Sequence, residues 1–360
     1  MSKKTVVFVT KDVGGFNVAC PVAQAIKDTG KINVQIIAEG VSAERWKGAG
    51  WDLFMEGPKN FKETPDTIDE KEFIGQLSVG DVVVTTMGSP INLEDRFGRA
   101  ANSRGITLVT IEDVWGSFTR STAIPQLLFT LDAFGEKLIR STHEYDEAVV
   151  MIVGNPAVSN LVVPEDLRAR IECLRLRYGR LVLFCGEGDG TGDLLRVALC
   201  SLLAAKAKED MVLIPRFHPK HIGNPVNRAN WNGMLDLFEL CSKPNQQVLC
   251  LNDVKNTDAL AALCDITISG ASTTLQHAAK NGRIAVAIET ELTKSLLAPQ
   301  VGGFYDRFPG VYLGYALPLL EPSDHLFQTI VERQEALRAN AQKAFVSVSP
   351  DIMAERILSL

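Results

Sequence analysis

The feature that most constrains the fold of this chain is an alternation of short apolar runs and helix-period segments, which occurs twice along the sequence. Each apolar run is rich in Val, Ile and Leu, ends at a glycine or polar turn, and is followed by a segment with helical spacing. Runs of this kind are typical of parallel strands that helices cover on both faces. The sequence therefore predicts an α/β protein with two parallel sheets.

The predicted strands form two series, separated by a polar and charged helix at 163–178. In the first series they lie at 5–10, 34–38, 81–86, 106–111, 127–131 and 148–153. In the second series they lie at 181–185, 211–215, 247–251, 266–269 and 284–288. Helices are predicted between many of these strands, and the chain closes with helices at 325–345 and 352–360.

The chain has 360 residues, of which 46% are hydrophobic and 22% are charged, and this is enough for two hydrophobic cores. We predict one domain over 1–162, a second over 163–340 and a final segment over 341–360. The charged stretch 56–71 is predicted to be a loop, with two alternatives open. It is either a lid or insertion beside a ligand, or a solvated surface excursion.

The charge pattern excludes nucleic acid as a partner. The formal net charge is −6, and no basic block is interleaved with aromatic residues. The basic start of the chain runs directly into a strand without the pattern of a cleaved signal peptide, which predicts a cytoplasmic location. No apolar run approaches the roughly 18 residues that span a bilayer, so only peripheral membrane contact is left open.

The seven cysteines are scattered, mostly in apolar contexts, and none of them forms a CxxC pair or has a histidine at ligand spacing. Zinc sites and disulfide frameworks both require closer and more regular spacing. The sequence therefore predicts buried free thiols and no metal site.

A glycine-rich turn follows the first predicted strand of the second series, with glycines at Gly186, Gly188 and Gly190. It leads directly into an apolar helix, so its uncovered N–H groups lie at a helix N-terminus, which favours a phosphate. The spacing is neither G-x-G-x-x-G nor a P-loop, and Glu187 and Asp189 add negative charge. Phosphate contact and a turn that merely caps the helix are both open alternatives.

A second helix start follows the strand at 266–269 and offers the hydroxyls of Ser272 and Thr273. Hydroxyls and free N–H groups at one helix start favour an anion, although an N-cap that serves only the helix is the alternative. Arg216 and His218 follow the strand at 211–215, and a guanidinium there can neutralise a diphosphate. His218 taken alone is more typical of a structural histidine.

These motifs occur in an order that resembles the GT-B glycosyltransferase superfamily. The order is Gly154-Asn155-Pro156, the glycine turn, the segment 215–219 (PRFHP) and the segment 265–282 (DITISGASTTLQHAAKNG). Similar sequences occur in peptidoglycan N-acetylglucosaminyltransferases, Kdo transferases and CDP-glycerol glycerophosphotransferases. The resemblance implies two Rossmann-like domains that face a cleft, with the C-terminal helices crossing back to the N-terminal domain.

In that superfamily the C-terminal domain holds the nucleotide, and a glutamate in the helix after the small-residue turn often binds the ribose. The matching residue here is Gln276, a departure from the family pattern; its neutral amide can hydrogen-bond a ribose less strongly than a carboxylate. By the same resemblance the loop 251–256 faces the nucleobase of the donor through backbone atoms near Val254.

The resemblance places the acceptor and the general base in the N-terminal domain. An inverting transfer needs a base within hydrogen-bond reach of the acceptor hydroxyl, and Asp12 is the first candidate because it precedes the paired glycines Gly14 and Gly15. Asp113 is the rival, and Trp115 beside it is a candidate for stacking on a sugar or for a core position. Either aspartate has a turn or helix cap as its alternative role.

The sequence therefore predicts a metal-independent glycosyltransferase of cell-envelope or surface glycan synthesis. Its expected partners are a nucleotide sugar, UDP- or CMP-linked, and a glycan or lipid-linked acceptor, with no further cofactor. Two alternatives stay open: a sugar-nucleotide epimerase or hydrolase on the same fold, and a non-catalytic protein that binds a nucleotide sugar.

Overall fold

The computed structural model describes residues 3–57, 69–88, 93–187, 190–204, 210–218, 223–242, 244, 246–297, 307–346 and 348–360. The chain divides into two compact units. Unit 1 comprises Met1–Asn160 together with Val346–Leu360, and unit 2 comprises Leu161–Phe345. The predicted loop at 56–71 lies largely outside the described residues.

Unit 1 is built on a parallel sheet in the order β3-β2-β1-β4-β5-β6-β7. Its strands are β1 (Thr5–Thr10), β2 (Asn33–Ala38), β3 (Met55–Glu56), β4 (Val82–Thr85), β5 (Thr107–Ile111), β6 (Leu127–Thr130) and β7 (Val149–Ile152). From β1 the next strands in sequence add on one side and from β4 they add on the other, so the strand order reverses between β1 and β4. The carboxyl ends of these two strands are therefore the expected place for a ligand.

Both faces of the unit 1 sheet are buried, as the continuous apolar strands predict. In β1 the residues Val6, Val7, Phe8 and Val9 are all fully buried. Val6 and Phe8 belong to one apolar cluster, whereas Val7 and Val9 belong to another, because successive side chains point to opposite faces of a strand.

Helices cover both faces of this sheet. They are α1 (Val13–Asp28), α2 (Gly40–Gly48), α3 (Glu70–Gly75), α4 (Leu93–Ser103), α5 (Ala133–Arg140) and α6 (Pro156–Ser159). Short 3₁₀ turns lie at Ser117–Arg120 and His143–Tyr145.

Unit 2 contains a second parallel sheet, in the order β10-β9-β8-β11-β12-β13. Its strands are β8 (Arg180–Cys185), β9 (Met211–Arg216), β10 (Gln246–Val248), β11 (Ile266–Ser269), β12 (Ile284–Ile288) and β13 (Ala316–Leu319). The strand order reverses between β8 and β11, so this sheet repeats the topology of the first.

The helices described in unit 2 and the last helix of the chain complete the fold. They are α7 (Glu165–Tyr178), α8 (Thr191–Ala204), α9 (Pro225–Cys241), α10 (Thr257–Leu263), α11 (Thr274–Lys280), α12 (Glu291–Leu297), α13 (Pro309–Tyr312), α14 (Leu326–Ala344) and α15 (Pro350–Leu358). Among the described helices, none combines the length and the apolar character that a membrane crossing needs.

The last helix, α15, packs into unit 1 although it follows unit 2 in the chain. Met353 and Ile357 are fully buried in the apolar cluster that also contains α1 residues. Gly154 has φ +78°, and a Cβ there would lie 2.1 Å from the carbonyl oxygen of Val346, so only glycine admits the returning chain. The predicted return of the last helix to the N-terminal domain is confirmed.

The prediction that the thiols are buried is wrong for four cysteines. Cys185 and Cys264 are buried, but Cys173, Cys200, Cys241 and Cys250 are exposed. Three of the exposed thiols lie on α7, α8 and α9, where other apolar residues of the same helix face the core. Apolar neighbours in sequence therefore did not place these thiols on the buried face of their helix.

We expect the substitution Ile357→Ala to destabilise unit 1 by about 2–5 kcal/mol, because it removes a fully buried side chain from a packed core. The matched control is Ile352→Ala in the same helix, where the side chain is 47% exposed and the cost stays within about 0.5 kcal/mol. Urea titration followed by tryptophan fluorescence measures both, since Trp46 and Trp51 lie in the same apolar cluster. Equal effects of the two substitutions would show that α15 does not pack on this core in solution.

Candidate functional site

The site candidates of unit 1 lie at the carboxyl edge of its sheet. The turns after β1, β4 and β5 meet there, because these three strands are neighbours and run in parallel. They carry two of the predicted residues, Asp12 after β1 and Asp113 after β5. The structure therefore places both candidate bases at the edge where open parallel sheets bind ligands.

Asp12 is the N-cap of α1. Its Oδ1 atom accepts a hydrogen bond of 2.7 Å from the N–H of Gly15, which satisfies one of the unpaired donors at the helix start. Its Oδ2 atom points towards the turn after β4, where a Cβ on Gly88 would lie 3.2 Å from it. The alternative role of Asp12 as a helix cap is thus present, and one carboxylate oxygen is committed to it.

The two aspartates meet across Gly14. A Cβ on this glycine would lie 2.5 Å from Oδ2 of Asp113 and 3.5 Å from Oδ1 of Asp12, so both carboxyl groups border the same small space. At Gly15 a Cβ would lie 2.3 Å from the hydroxyl of Thr86. Both glycines are therefore required for close approach of the backbone to neighbouring side chains.

The environment of Asp113 raises its pKa to about 7. Burial of the carboxyl group is the main cause and the negative charge of Asp12 adds to it, while Arg120 and Ser117 act in the opposite direction. Within the described residues its Oδ1 atom is enclosed and accepts no hydrogen bond of standard geometry. Near neutral pH this carboxyl group is able both to hold and to release a proton.

Glu94 is a third carboxyl group at this edge, which the sequence analysis missed. It lies in the first turn of α4, is only 1% exposed, and accepts a hydrogen bond of 3.3 Å from the N–H of Gly88. Burial raises its pKa to about 8, helped by the nearby charge of Asp12. Helical spacing contained the signal, because Glu94 shares a face with Phe97 and Ala101, both buried.

The turn that carries Asp113 is held by a buried neighbour. Glu112 is 1% exposed and accepts hydrogen bonds of 2.7 Å from the N–H of Gly116 and 2.6 Å from the hydroxyl of Thr130. Burial raises its pKa to about 8. Glu112 therefore ties the turn that carries Asp113 to its own far end at Gly116 and to β6.

Trp115 does not present its ring for stacking on a sugar. The side chain is 2% exposed, and its Nε1–H donates a hydrogen bond of 2.8 Å to Oδ2 of Asp132, the N-cap of α5. The stacking interpretation is wrong, and the core alternative is confirmed, because the ring is enclosed between the turn and the start of α5. In the described part of the chain, no group of three or more His, Cys, Asp or Glu side chains is arranged to hold a metal ion.

In unit 2 the glycine turn and the small-residue turn meet through Glu187. Its Oε1 atom lies 3.0 Å from the N–H of Ala271 and 3.0 Å from the hydroxyl of Ser269. A Cβ on Gly270 would lie 3.1 Å from Cγ of Glu187, so a larger residue would require Glu187 to shift by a few tenths of an ångström. The amide that precedes α11 therefore already donates a hydrogen bond to a carboxyl group of the protein itself, whose pKa is raised by burial.

Local contacts and backbone geometry explain two glycines of the glycine turn after β8. A Cβ on Gly186 would lie 2.8 Å from the side chain of Thr191, and Gly190 has φ +72°, which disfavours other residues. The hydroxyl of Thr191 donates 2.6 Å to the carbonyl of Glu187 and closes the turn. Gly188 lies outside the described residues.

The predicted residues of the second helix start lie beside this turn. Ser272 accepts a hydrogen bond of 3.3 Å from the N–H of Thr274, so its hydroxyl contributes to capping α11. Thr273 is the residue before the helix and makes no side-chain cap hydrogen bond. Gln276 lies in α11 and is 2% exposed.

Arg216 links β9 to the loop 251–256, which the family resemblance assigns to the nucleobase. Its guanidinium donates a hydrogen bond of 2.7 Å to the carbonyl of Leu251, and the N–H of Val254 donates 3.2 Å to the same oxygen. Burial lowers the pKa of Arg216. Its own carbonyl accepts 2.8 Å from the N–H of Gly186, so Arg216 adjoins the glycine turn, and His218 follows two residues later, partly buried.

Solved structures of nucleotide-sugar enzymes are similar to almost the whole chain. The UDP-GlcNAc 2-epimerase of Neisseria meningitidis bound to UDP-GlcNAc has 13% identity and a TM-score of 0.66, covering 99% of this chain and 100% of that one. The UDP-GlcNAc 2-epimerase of Methanocaldococcus jannaschii has 12% identity and a TM-score of 0.67, covering 99% of each chain. MurG of Acinetobacter baumannii has 13% identity and a TM-score of 0.63, covering 99% of this chain and 100% of that one.

At these identities the likeness establishes the fold. No protein-family profile and no curated protein sequence matches the chain. The two parallel sheets, each with the same reversal of strand order, have the arrangement of two Rossmann-like domains that is called the GT-B fold. The fold predicted from the order of the sequence motifs is confirmed.

We expect Gly14→Ala to displace Asp113, because the added Cβ would lie 2.5 Å from Oδ2 of that carboxylate. The cost to unit 1 should be about 1 kcal/mol, the low end of the range for overpacking, because Gly14 is only partly buried and the contact is with the end of a side chain. Gly48→Ala is the matched control, since nothing lies within 4 Å of the added atom. Denaturant titration of the two variants checks this, and an unchanged midpoint for Gly14→Ala would contradict the geometry at this turn.

We expect the stability of the protein to fall as the pH rises from about 5 to 8. The folded state raises the pKa of Glu112 from 4.5 to about 8, so it binds the proton more tightly than the unfolded chain over this interval. Each such group costs up to about 1.4 kcal/mol per pH unit. Glu112→Gln should flatten the dependence, whereas Glu147→Gln, at an exposed position, should leave it unchanged. Chemical denaturation at several pH values measures the slope, and identical slopes for all three proteins would refute this origin.

Proposed function

We propose that this chain is a nucleotide-sugar-dependent glycosyltransferase in which Asp113 is the general base. The observation that carries the proposal is the carboxyl pair at the carboxyl edge of unit 1, where Asp113 and Asp12 border the space around Gly14. A base in glycosyl transfer must be ionised enough to accept a proton and basic enough to remove it. A carboxyl group with a pKa of about 7 meets both conditions at neutral pH.

Asp113 is a better base than Asp12, which was the first candidate. One oxygen of Asp12 is committed to the N–H of Gly15 as the cap of α1. Asp113 has an enclosed oxygen without such a partner among the described residues. We therefore assign proton abstraction to Asp113, and to Asp12 the negative charge that helps to raise the pKa of its neighbour.

The proposed reaction is a direct displacement. The acceptor hydroxyl gives its proton to the Asp113 carboxylate while its oxygen forms a bond to the anomeric carbon of the donor sugar. The bond between that carbon and the phosphate oxygen breaks, and the nucleotide leaves with the electron pair. Stabilising this developing negative charge is the second requirement on the enzyme.

We assign the nucleotide to unit 2. Arg216 supplies a fixed positive charge next to the glycine turn, at the carboxyl edge of the second sheet. The similar structure from Neisseria is described as bound to UDP-GlcNAc, which supports a UDP-linked donor, with a CMP-linked donor as the alternative. In this proposal Arg216 and backbone amides meet the phosphate charge, and no metal or other cofactor takes part.

The acceptor is proposed to be a glycan or a lipid-linked glycan of the cell envelope, glycosylated in the cytoplasm. A hydroxyl acceptor of this kind is neutral, so the carboxyl groups of unit 1 do not repel it. An anionic acceptor would meet Asp12 and Asp113 together, which disfavours it at this edge.

A sugar-nucleotide epimerase is the second candidate, and the paired carboxyl groups favour it as well. Epimerisation removes a proton from a sugar carbon and returns one to the other face, which takes one basic and one acidic group. Two adjacent carboxyl groups that differ in protonation supply both. Two of the similar structures described above are UDP-GlcNAc 2-epimerases. Hydrolysis, with water as the acceptor, needs only the base.

The first experiment measures thermal stability in the presence of UDP, CMP, CDP, GDP and TDP. We expect one nucleotide to raise the melting temperature, because a ligand that binds only the folded state stabilises it by RT ln(1 + [L]/Kd). Replacing Arg216 by Gln should reduce this shift. Failure of every nucleotide at millimolar concentration would contradict a nucleotide-binding function.

The second experiment separates the reactions with the corresponding nucleotide sugars. Without acceptor, an epimerase yields the epimer and a hydrolase yields free sugar, whereas a glycosyltransferase requires an added acceptor. Asp113→Asn should lower kcat about 10²–10⁴-fold, the usual contribution of a general base. Asp81→Asn is the matched control, because this aspartate accepts hydrogen bonds from Thr5 and Ser78 at the amino edge of the same sheet. Full turnover by Asp113→Asn would remove Asp113 from the mechanism.

A further inference from the structure

Glu94 has surroundings that a purely structural glutamate would not need. It is 1% exposed, and one carboxyl oxygen is bonded to the N–H of Gly88. The other, Oε2, is enclosed and makes no hydrogen bond to the described residues. No cation is paired with it there: the nearby Lys11 forms its ion pair with Glu39, at 3.3 Å.

Glu94 and Asp12 face each other across Gly88. A Cβ on this glycine would lie 2.8 Å from Oε1 of Glu94 and 3.2 Å from Oδ2 of Asp12. A buried carboxyl group beside a second carboxyl group does not ionise readily near neutral pH, because burial desolvates its charge and a neighbouring negative charge repels it. Glu94 is the member that holds the proton, because it is 1% exposed, whereas Asp12 is only partly buried and accepts the amide of Gly15 at the start of α1.

We propose that Glu94 is a positioning residue that holds one proton beside Asp12 and thereby keeps Asp12 in the place where it borders Asp113. The inference rests on the proposed function, in which Asp113 is the base. An ionised Glu94 would repel Asp12 across Gly88 and displace the turn with Gly14, which contacts Asp113. Above the pH at which Glu94 loses this proton, the arrangement of Asp12 around the base Asp113 is therefore lost.

The charged groups around Glu94 agree with this assignment. Lys11 and Asp12 face it from the turn after β1, and Glu39 faces it from the end of β2. On its own helix, Arg96 is paired with Glu70 of α3 and Arg99 with Asp95. The positive charge of Lys11 is offset by Glu39, so the balance around Glu94 remains negative and favours its neutral form.

A measurement without substrate tests the proton directly. Infrared difference spectroscopy of wild type against Glu94→Gln at pH 7 should show the carbonyl band of a protonated carboxylic acid, present in wild type and lost in the variant. Glu70→Gln, which alters a contact of the same helix, is the matched control and should not remove this band. A band of equal intensity in wild type and Glu94→Gln would overturn the proposal.

The catalytic consequence is tested with the donor found in the nucleotide screen. Wild-type kcat should fall about fivefold between pH 8 and 9 as a group with a pKa of about 8 loses its proton. Glu94→Gln stays neutral and should keep the wild-type kcat at pH 7 and lose this decline. Glu94→Leu, which removes the buried carboxyl group and leaves the N–H of Gly88 without its acceptor, should be impaired at both pH values.

The outcomes separate this inference from the proposed function. If Glu94→Gln shows the same decline as wild type, or Glu94→Leu has the wild-type pH profile, the positioning role is wrong while the function stands. If no nucleotide sugar is turned over, the proposed function fails. The infrared result then still decides whether Glu94 holds a proton.

Discussion

The architecture of both candidate sites depends on one constraint, the parallel pairing of the first and fourth strands in each sheet. In unit 1 this pairing joins β1 to β4, and in unit 2 it joins β8 to β11. The turns that follow two such strands leave the same edge of the sheet and diverge only beyond it. Residues that are far apart in sequence therefore meet at this edge, where small residues such as Gly14 and Gly270 allow side chains to touch the backbone.

The two edges differ in their electrostatics. Unit 1 collects carboxyl groups in poorly solvated positions, and burial raises the pKa of Glu94, Glu112 and Asp113. Unit 2 places its own carboxylate, Glu187, on the amide of Ala271 and keeps a cation, Arg216, on the neighbouring strand. Our proposal that unit 1 carries out the proton transfer and that unit 2 binds the nucleotide rests on this difference.

Sequence patterns predicted most of the strands but not all of the elements. The runs at 5–10, 266–269 and 284–288 coincide with β1, β11 and β12, because each is continuous and apolar. The strand β13 and the helix α9 were missed. The short segment of β13 contains a proline and has no regular alternation, and α9 carries polar residues on a face that is exposed, so neither pattern stands out without its neighbours in space.

The sequence by itself determined the fold class and the order of the glycine turn, the segment with Arg216 and the second helix start. It also identified Asp12 and Asp113 as candidates for the general base. These are local properties, set by apolar periodicity and turn chemistry. Only the tertiary structure decided that Asp12 borders Asp113 at Gly14 and Glu94 at Gly88, that Trp115 is enclosed, and that Glu187 contacts the turn before α11. The physical reason is that burial and the distance between charges, which set a pKa and a hydrogen bond, arise from contacts between strands that are remote in sequence.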